Sequence, residues 1–446
     1  MADTAPQYPS TRRERLSWYC YDWANSAFST TVVTVFLGPY LTAIAETAAD
    51  HTGTIHPLGL SIAPGALFAY AVSLSVFLTV IILPIVGAIA DRSSHKTHLL
   101  ALFAYLGAAA TTAMVFLTGD RYLLGVALFL LANIAFGASI VVYNAFLPQL
   151  AAPDQRDTVS SIGWAAGYLG GGLLLLINVI AVLGKHTLGL DTDDVARYSL
   201  VSAGLWWAAF TTVALHGLRN HPAATPPGNG HILTDGFRQL WNTLRSLKAY
   251  PLTLFFLLAF LVYNDGIQTV IAMAGIYATQ ELALPSDVLV PTILMVQFLA
   301  FLGALSLGAL AKRIGGWKTV LLSLIIWIAI VLAAFALPTG HSIPFITLAA
   351  GIGVVLGGSQ ALSRSLFSHL IPRGKEGEYF GLYEISDKGT SWLGPLIFGL
   401  IYDTTGSYRA AIVSLLIFFI VGFLALAAVP MRRAIIAAGN VPPRVL

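Results

Sequence analysis

The sequence predicts an all-α membrane protein of twelve transmembrane helices, arranged as two pseudo-symmetric six-helix bundles. Three observations carry this. Charged residues make up 10% of the 446 positions against 57% apolar, and mean hydropathy is +0.78; a soluble domain carries about 25% charged residues. Apolar runs long enough to cross a hydrocarbon core, about 20 residues each, recur twelve times. The two halves of the chain also echo each other at a nearly constant offset. The same composition excludes a set of soluble domains, which need a charged surface, and a disordered chain, which would be polar.

Taken in order, the expected spans are 24–46, 64–90, 98–118, 122–147, 159–183, 197–217, 251–280, 288–311, 318–337, 343–370, 378–402 and 408–430. None alternates with period two, which excludes the roughly 10-residue strands of a membrane barrel. Ahead of the first span, Pro9, Arg12, Arg13, Arg15 and Asp22 leave no apolar core for a signal peptide. Trp18, Tyr19, Tyr21 and Trp23 read as interfacial aromatic anchors, with Asp22 at the start of the span. If both termini and every even-to-odd connection share one side, that side holds eighteen of the 24 basic residues and the other side four. The positive-inside rule makes the basic side cytoplasmic, so the expected location is the inner (plasma) membrane with both termini cytoplasmic. Residues 1–217 and 251–446 form the two bundles. The connection 218–250 places Phe237, Leu240, Trp241, Leu244 and Leu247 on one helical face, either lying at the membrane surface or packed on the protein's own cytoplasmic face.

The echo is specific. Gly87-Ala-Ile-Ala-Asp91-Arg92 follows span two, and Gly308-Ala-Leu-Ala-Lys312-Arg313 follows span eight, 221 positions later. Pro153 after span four and Pro372 after span ten are 219 apart. Parallel repeats of this kind belong to transporters whose solute site lies between the halves near mid-membrane.

Ionisable residues inside spans cost about 2.5–3.5 kcal/mol each on insertion scales and are functional candidates by default. At 1.5 Å per residue, Arg364 and Glu384 lie about 10 Å from the cytoplasmic end of spans ten and eleven, and Asp387 about 15 Å. Glu384 and Lys388 share a helix face at i, i+4. This cluster either binds a zwitterionic solute, with Arg364 on its carboxylate, or gates the cytoplasmic mouth; a purely structural ion-pair network is the other reading. Asp265, about 20 Å deep beside Asn264 and Gln268, is the first candidate for proton coupling, with Asp387 the second; an aspartate capping a helix break at Gly266 is its bland counterpart. Asp22 and Asn25 share a face and either touch solute, close the cytoplasmic mouth or cap the helix. Asn133, Asn144 and Gln360 are read as ligand contacts or as interhelical hydrogen bonds. Trp164 stacks on solute or simply packs. The glycines of Gly163-x-x-x-Gly167 and Gly170-Gly171-Gly172 allow close helix approach.

The chain lacks the G-x-x-x-x-G-K-[ST] loop of a nucleotide-driven pump and the H-E-x-x-H of a metalloprotease. Its one cysteine, Cys20, forms no intrachain disulfide. No enzyme activity, cofactor, metal or nucleic-acid partner is expected; the expected partners are membrane lipid, a small-molecule substrate and protons.

Gly87-x-x-x-Asp91-Arg92-x-x-x-Lys96 resembles the signature loop of the major facilitator superfamily. Ser94 stands where that family usually has glycine, and in the second copy Lys312 replaces the acid. The resemblance implies gating by this loop, with the acid's role carried to Asp91 alone. A narrower likeness runs nearly the whole chain. Tyr21-Asp22-Trp23-Ala24-Asn25-Ser26-Ala27-Phe28 resembles the hallmark of the vacuole-effluxer-like group. Tyr143-Asn144-Ala145-Phe146-Leu147-Pro148, the Gly163–Gly171 pattern and Tyr263-Asn264-Asp265-Gly266 are similar to that group as well. This resemblance implies a secondary transporter of an amino acid or similar small polar metabolite, working as an exporter. The rival readings are a broad drug or sugar exporter and a non-transporting receptor or scaffold.

Overall fold

The computed structural model describes residues 10–220, 249–285, 288–388 and 393–446. Among them, eleven helices are long and apolar enough to span a bilayer. They are α1 (Arg12–Thr47), α2 (Pro64–Arg92), α3 (Lys96–Phe116), α4 (Tyr122–Leu150), α5 (Pro153–Leu183), α6 (Thr192–Leu215), α7 (Pro251–Glu281), α8 (Leu289–Ile314), α9 (Gly316–Phe335), α10 (Ser342–His369) and, after two shorter helices, α13 (Tyr408–Ala428). The expected span 378–402 is described as those two helices, α11 (Glu376–Lys388) and α12 (Leu393–Thr405). The surface helix expected over Phe237–Leu247 lies outside the described residues.

Local chemistry sets several helix starts. Thr11 accepts from the Glu14 amide to begin α1, Asp191 from the Asp194 amide to begin α6, and Ser407 from the Ala410 amide to begin α13. Each satisfies a backbone donor that a helix start leaves over. Because α1 begins at Arg12, Asp22 lies about 15 Å along it, not at its start. The aromatic anchors also need correction. Trp18 and Tyr21 are fully buried; Trp18 stacks on Tyr143 and donates to its carbonyl oxygen. They build the interior of the first half.

Two hydrophobic cores form, one from residues 18–218 and one from 256–435. Large apolar side chains such as Phe77, Leu183, Leu205 and Ile343 remain on the outside, as a lipid-facing belt requires. The chain ends meet on one face. Leu446 lies against Gly315 between α8 and α9, the Arg444 amide donates to Asp154, and Ser10 donates to the Leu150 carbonyl. We call this the terminal face.

The glycines of α5 do what their spacing suggests. A Cβ at Gly167 would meet Ser26 Oγ at 2.6 Å, and one at Gly170 the Trp23 carbonyl at 2.5 Å. Only glycine lets α5 lie this close to α1.

Candidate functional site

Beneath the terminal face the two halves are latched together. Arg364 on α10 carries five N–H groups, and five hydrogen bonds leave it for the first half. Its Nε donates to Ser160 Oγ at 2.9 Å and its Nη2 to the Ser160 carbonyl at 2.9 Å. Nη1 reaches Asn144 Oδ1 at 3.3 Å, and both terminal nitrogens reach Asp22 Oδ2, at 3.3 and 3.4 Å. Tyr143 Oη donates to the same Asp22 oxygen at 2.6 Å. The rings of Trp18, Tyr143 and Trp164 flank the guanidinium at 5.0–5.6 Å. Asn144 Nδ2 then donates to Glu384 Oε1 at 3.0 Å, so its amide bridges Arg364 and α11. The sequence groups Arg364 with Glu384 and Lys388; Arg364 and Glu384 meet through the Asn144 amide, and Arg364 also pairs with Asp22 of the first half. The Lys388 side chain is outside the described atoms.

Two corners complete the closure, and they follow the internal repeat. In the first, Gly87 of α2 meets α11: a Cβ there would fall 2.2 Å from the Gly377 carbonyl oxygen. Asp91 accepts from the Gly377 amide at 2.7 Å and the Glu378 amide at 2.9 Å. A carboxylate on the leading amides of a helix satisfies its spare donors and its dipole. Lys96 is fully buried within Coulombic reach of Asp91, and Arg92 closes α2. In the second corner Gly308, the repeat of Gly87, meets Ser161 of α5, where a Cβ would lie 2.5 Å from Oγ. Lys312, at the repeat of Asp91, is exposed. The acid comes from the other half instead: Asp157 of α5 faces the first residue of α9, with Oδ2 only 2.7 Å from a Cβ placed on Gly316, and accepts from Ser365 Oγ at 2.6 Å. Arg156 donates to the Ser368 carbonyl nearby at 2.9 Å.

Above the latch lies a cavity of about 350 Å³ between the halves. It reaches from Gln360 and Trp164 at mid-depth to Leu289 at the start of α8, on the face opposite the termini. Its first-half wall is Ser26, Ser29, Thr30, Thr34, Trp164 and Tyr168. Here α1 widens into a π-helical stretch, Phe28–Phe36, in which Thr34 Oγ1 donates back five residues to the Ser29 carbonyl. Such stretches are frequent at functional sites. The opposite wall is mainly apolar, with Gln268, Gln297, Gln360 and Asp387 set into it. Gln360 Nε2 donates to Asn264 Oδ1, and Asn264 Nδ2 to Asp387 Oδ1, both at 2.9 Å.

The candidates therefore separate. Gln268, Gln360 and Asp387 line the cavity, and Asn264 supports them from behind. Asp22, Asn144, Arg364 and Glu384 form the latch; Gly87, Asp91, Arg92 and Lys96 form the first corner. Asn25 is buried in α1 away from the cavity wall. Asp265 also lies off it, with the Gly394 amide of α12 in electrostatic reach. Asn133 donates to Ser75 within the first half. Sequence reading missed Tyr143, Ser160 and Asp157 as working parts. The echo at Lys312, an acid position without its acid, was the one available pointer to Asp157.

A family profile for "Vacuole effluxer Atg22 like" proteins matches residues 10–439. The chain belongs to this family. An uncharacterized MFS-type transporter, YxiO of Bacillus subtilis (strain 168), is 31% identical over 94% of this chain and 95% of its own length. Autophagy-related protein 22 of Yarrowia lipolytica is 29% identical over 83% and 76%. The crystal structure of the human organic anion transporter MFSD10 (TETRAN) superposes with a TM-score of 0.70 at 16% identity, over 94% of this chain and 100% of that one. The fold is that of the major facilitator superfamily, and the chain is a multi-pass membrane protein of the secondary-transporter kind.

Proposed function

We propose that this vacuole-effluxer-like protein is a twelve-helix, two-bundle exporter (1–217 and 251–446) that moves a small polar solute of amino-acid size by alternating access. The single observation that supports it is the stacking of a solute-sized cavity directly on a saturated interhalf latch. A cavity reaching one face with the other face pinned shut is one end of a rocking cycle. A scaffold or receptor has no need of such a latch. The basic-residue bias supports a cytoplasmic terminal face in the plasma membrane, so that the cavity faces outward in this conformation. Efflux is supported by the family's description. We assign the coupling proton to Asp387 rather than Asp265, because Asp387 shares the cavity with the solute.

The test is flux in proteoliposomes. Labelled amino acids should move faster under a pH gradient than without one, and Arg364→Ala should lower the gradient-driven rate at least tenfold. No gradient-dependent flux of any amino acid would contradict the substrate assignment.

A further inference from the structure

Beyond α13 the chain turns back along the terminal face. A short helix, α14 (Met431–Ala437), buries Met431, Ala434 and Ile435 and leaves Arg432 and Arg433 exposed. Asn440 Nδ2 then donates to the His369 carbonyl at 2.9 Å and to the Ile371 carbonyl at 2.7 Å, which pins the segment to the end of α10. Four residues on, the Arg444 amide donates to Asp154 Oδ1 at 2.7 Å, and its Nε stands 3.6 Å from Asp154 Oδ2. Asp154 is the second residue of α5, in the other half. Leu446 packs on Gly315, at the turn from α8 to α9, and on the second core. Residues 438–446 thus leave the second half, bind the first and return to the second. They do so across the corner where Gly308 and Gly316 meet α5. Arg444 and Leu446 are two residues apart, a reach of at most about 7 Å even when fully extended. Asp154 and the α8–α9 turn cannot separate far while both hold this segment.

The internal repeat supports a built anchor. Asn220 stands 220 positions before Asn440 and follows the sixth span of its half as Asn440 follows α13. Its Oδ1 accepts from the Thr97 amide at 3.0 Å and from Thr97 Oγ1 at 2.7 Å, on α3 of the same half. In the second half the segment goes on across the seam. Its crossing contacts are few and wet. The Arg444 side chain is 92% exposed and that of Asp154 51%, so the ion pair adds little. The amide bond to Asp154 and the seating of Leu446 carry the crossing, a fastening weak enough to be undone in each cycle.

Resting on the alternating-access reading above, we infer that residues 438–446 are a releasable strap that restrains opening of the terminal face. The Arg364 latch closes that face from within. The strap sets, from the water side, how readily it opens.

Two substitutions at one exposed position test this in the full-length protein. Arg444→Pro removes the amide donor to Asp154, whereas Arg444→Ala removes only the guanidinium. Spin labels at Ser94→Cys and Lys318→Cys, both exposed, in a Cys20→Ala background, report the opening by double electron–electron resonance. Arg444→Pro should raise the ratio of long- to short-distance populations about two- to tenfold, the worth of one hydrogen bond. Arg444→Ala should change it less than twofold. In proteoliposomes, tethering Asp154→Cys to Arg444→Cys with a bismaleimide should cut the flux of labelled amino acids at least tenfold, relative to either single cysteine treated alike. Unmoved distances in Arg444→Pro overturn the inference, as does an equal shift in Arg444→Ala, or full flux through the tethered protein. The two levels separate. If Arg444→Pro opens the face but the wild-type protein carries no solute, the transporter reading falls alone; if wild-type flux is present but the distances stay unmoved, the strap falls alone.

Discussion

The guanidinium of Arg364 meets the carboxylate of Asp22 at 3.3 Å, although 342 positions separate them. Their side chains are 3% and 9% exposed. A pair so buried survives only with its remaining donors and acceptors satisfied, and here Tyr143, Ser160 and Asn144 satisfy them. The bond joins the first core to the second where the halves must separate for the terminal face to open.

Breaking one partner should therefore cost more than removing both. Arg364→Ala or Asp22→Ala alone leaves an uncompensated buried charge, a loss of about 3–5 kcal/mol. The double variant should recover part of it. A thermal-melting double-mutant cycle in detergent measures this, with a coupling of at least about 1 kcal/mol expected.

Two glycines in equally tight contacts should fail differently. Gly87→Ala drives a methyl group into the Gly377 carbonyl, between the halves; Gly357→Ala drives one into the Ala300 carbonyl, at 2.0 Å, inside the second core. The first protein should purify as a monodisperse species with its terminal face more open, seen as faster thiol labelling of Ser365→Cys. The second should lose folding yield instead.

Asp157 should behave as the missing acid of the second repeat. Asp157→Asn keeps an acceptor for Ser365 but removes the charge facing the start of α9, an interaction of about 0.3–1 kcal/mol. We expect a small drop in melting temperature and faster opening of the terminal face. A return of the acid at Lys312→Asp should offset part of the change.

The two intramembrane aspartates should part company in flux assays. Asp387→Asn should abolish the dependence of transport on a pH gradient. Asp265→Asn should leave it intact, since Asp265 lies off the cavity wall.

Much of this was legible because charge in a membrane is expensive. Arg364, Glu384, Asp387 and Asp22 stood out by that cost alone, and the glycine echo marked the ends of α2 and α8, though not the helices they meet. Pairing was not legible: nothing in the sequence ties position 22 to position 364. Tyr143 and Ser160 carry no charge and gave no signal of cost. Helix rotation was a second blind spot. Asn264 and Asp265 are neighbours about 100° apart around α7. That single step puts Asn264 on the cavity network and sends Asp265 towards α12, a difference that depth alone does not show.

The latch itself is tested most directly by a distance across the terminal face. Spin labels at Ser94→Cys and Arg313→Cys, both exposed positions in opposite halves, in a Cys20→Ala background, report the separation by double electron–electron resonance. The latched protein should give a short-distance population, and Arg364→Ala should add or favour a longer one. An identical distance distribution with and without Arg364 would contradict the claim that Arg364 holds this face closed.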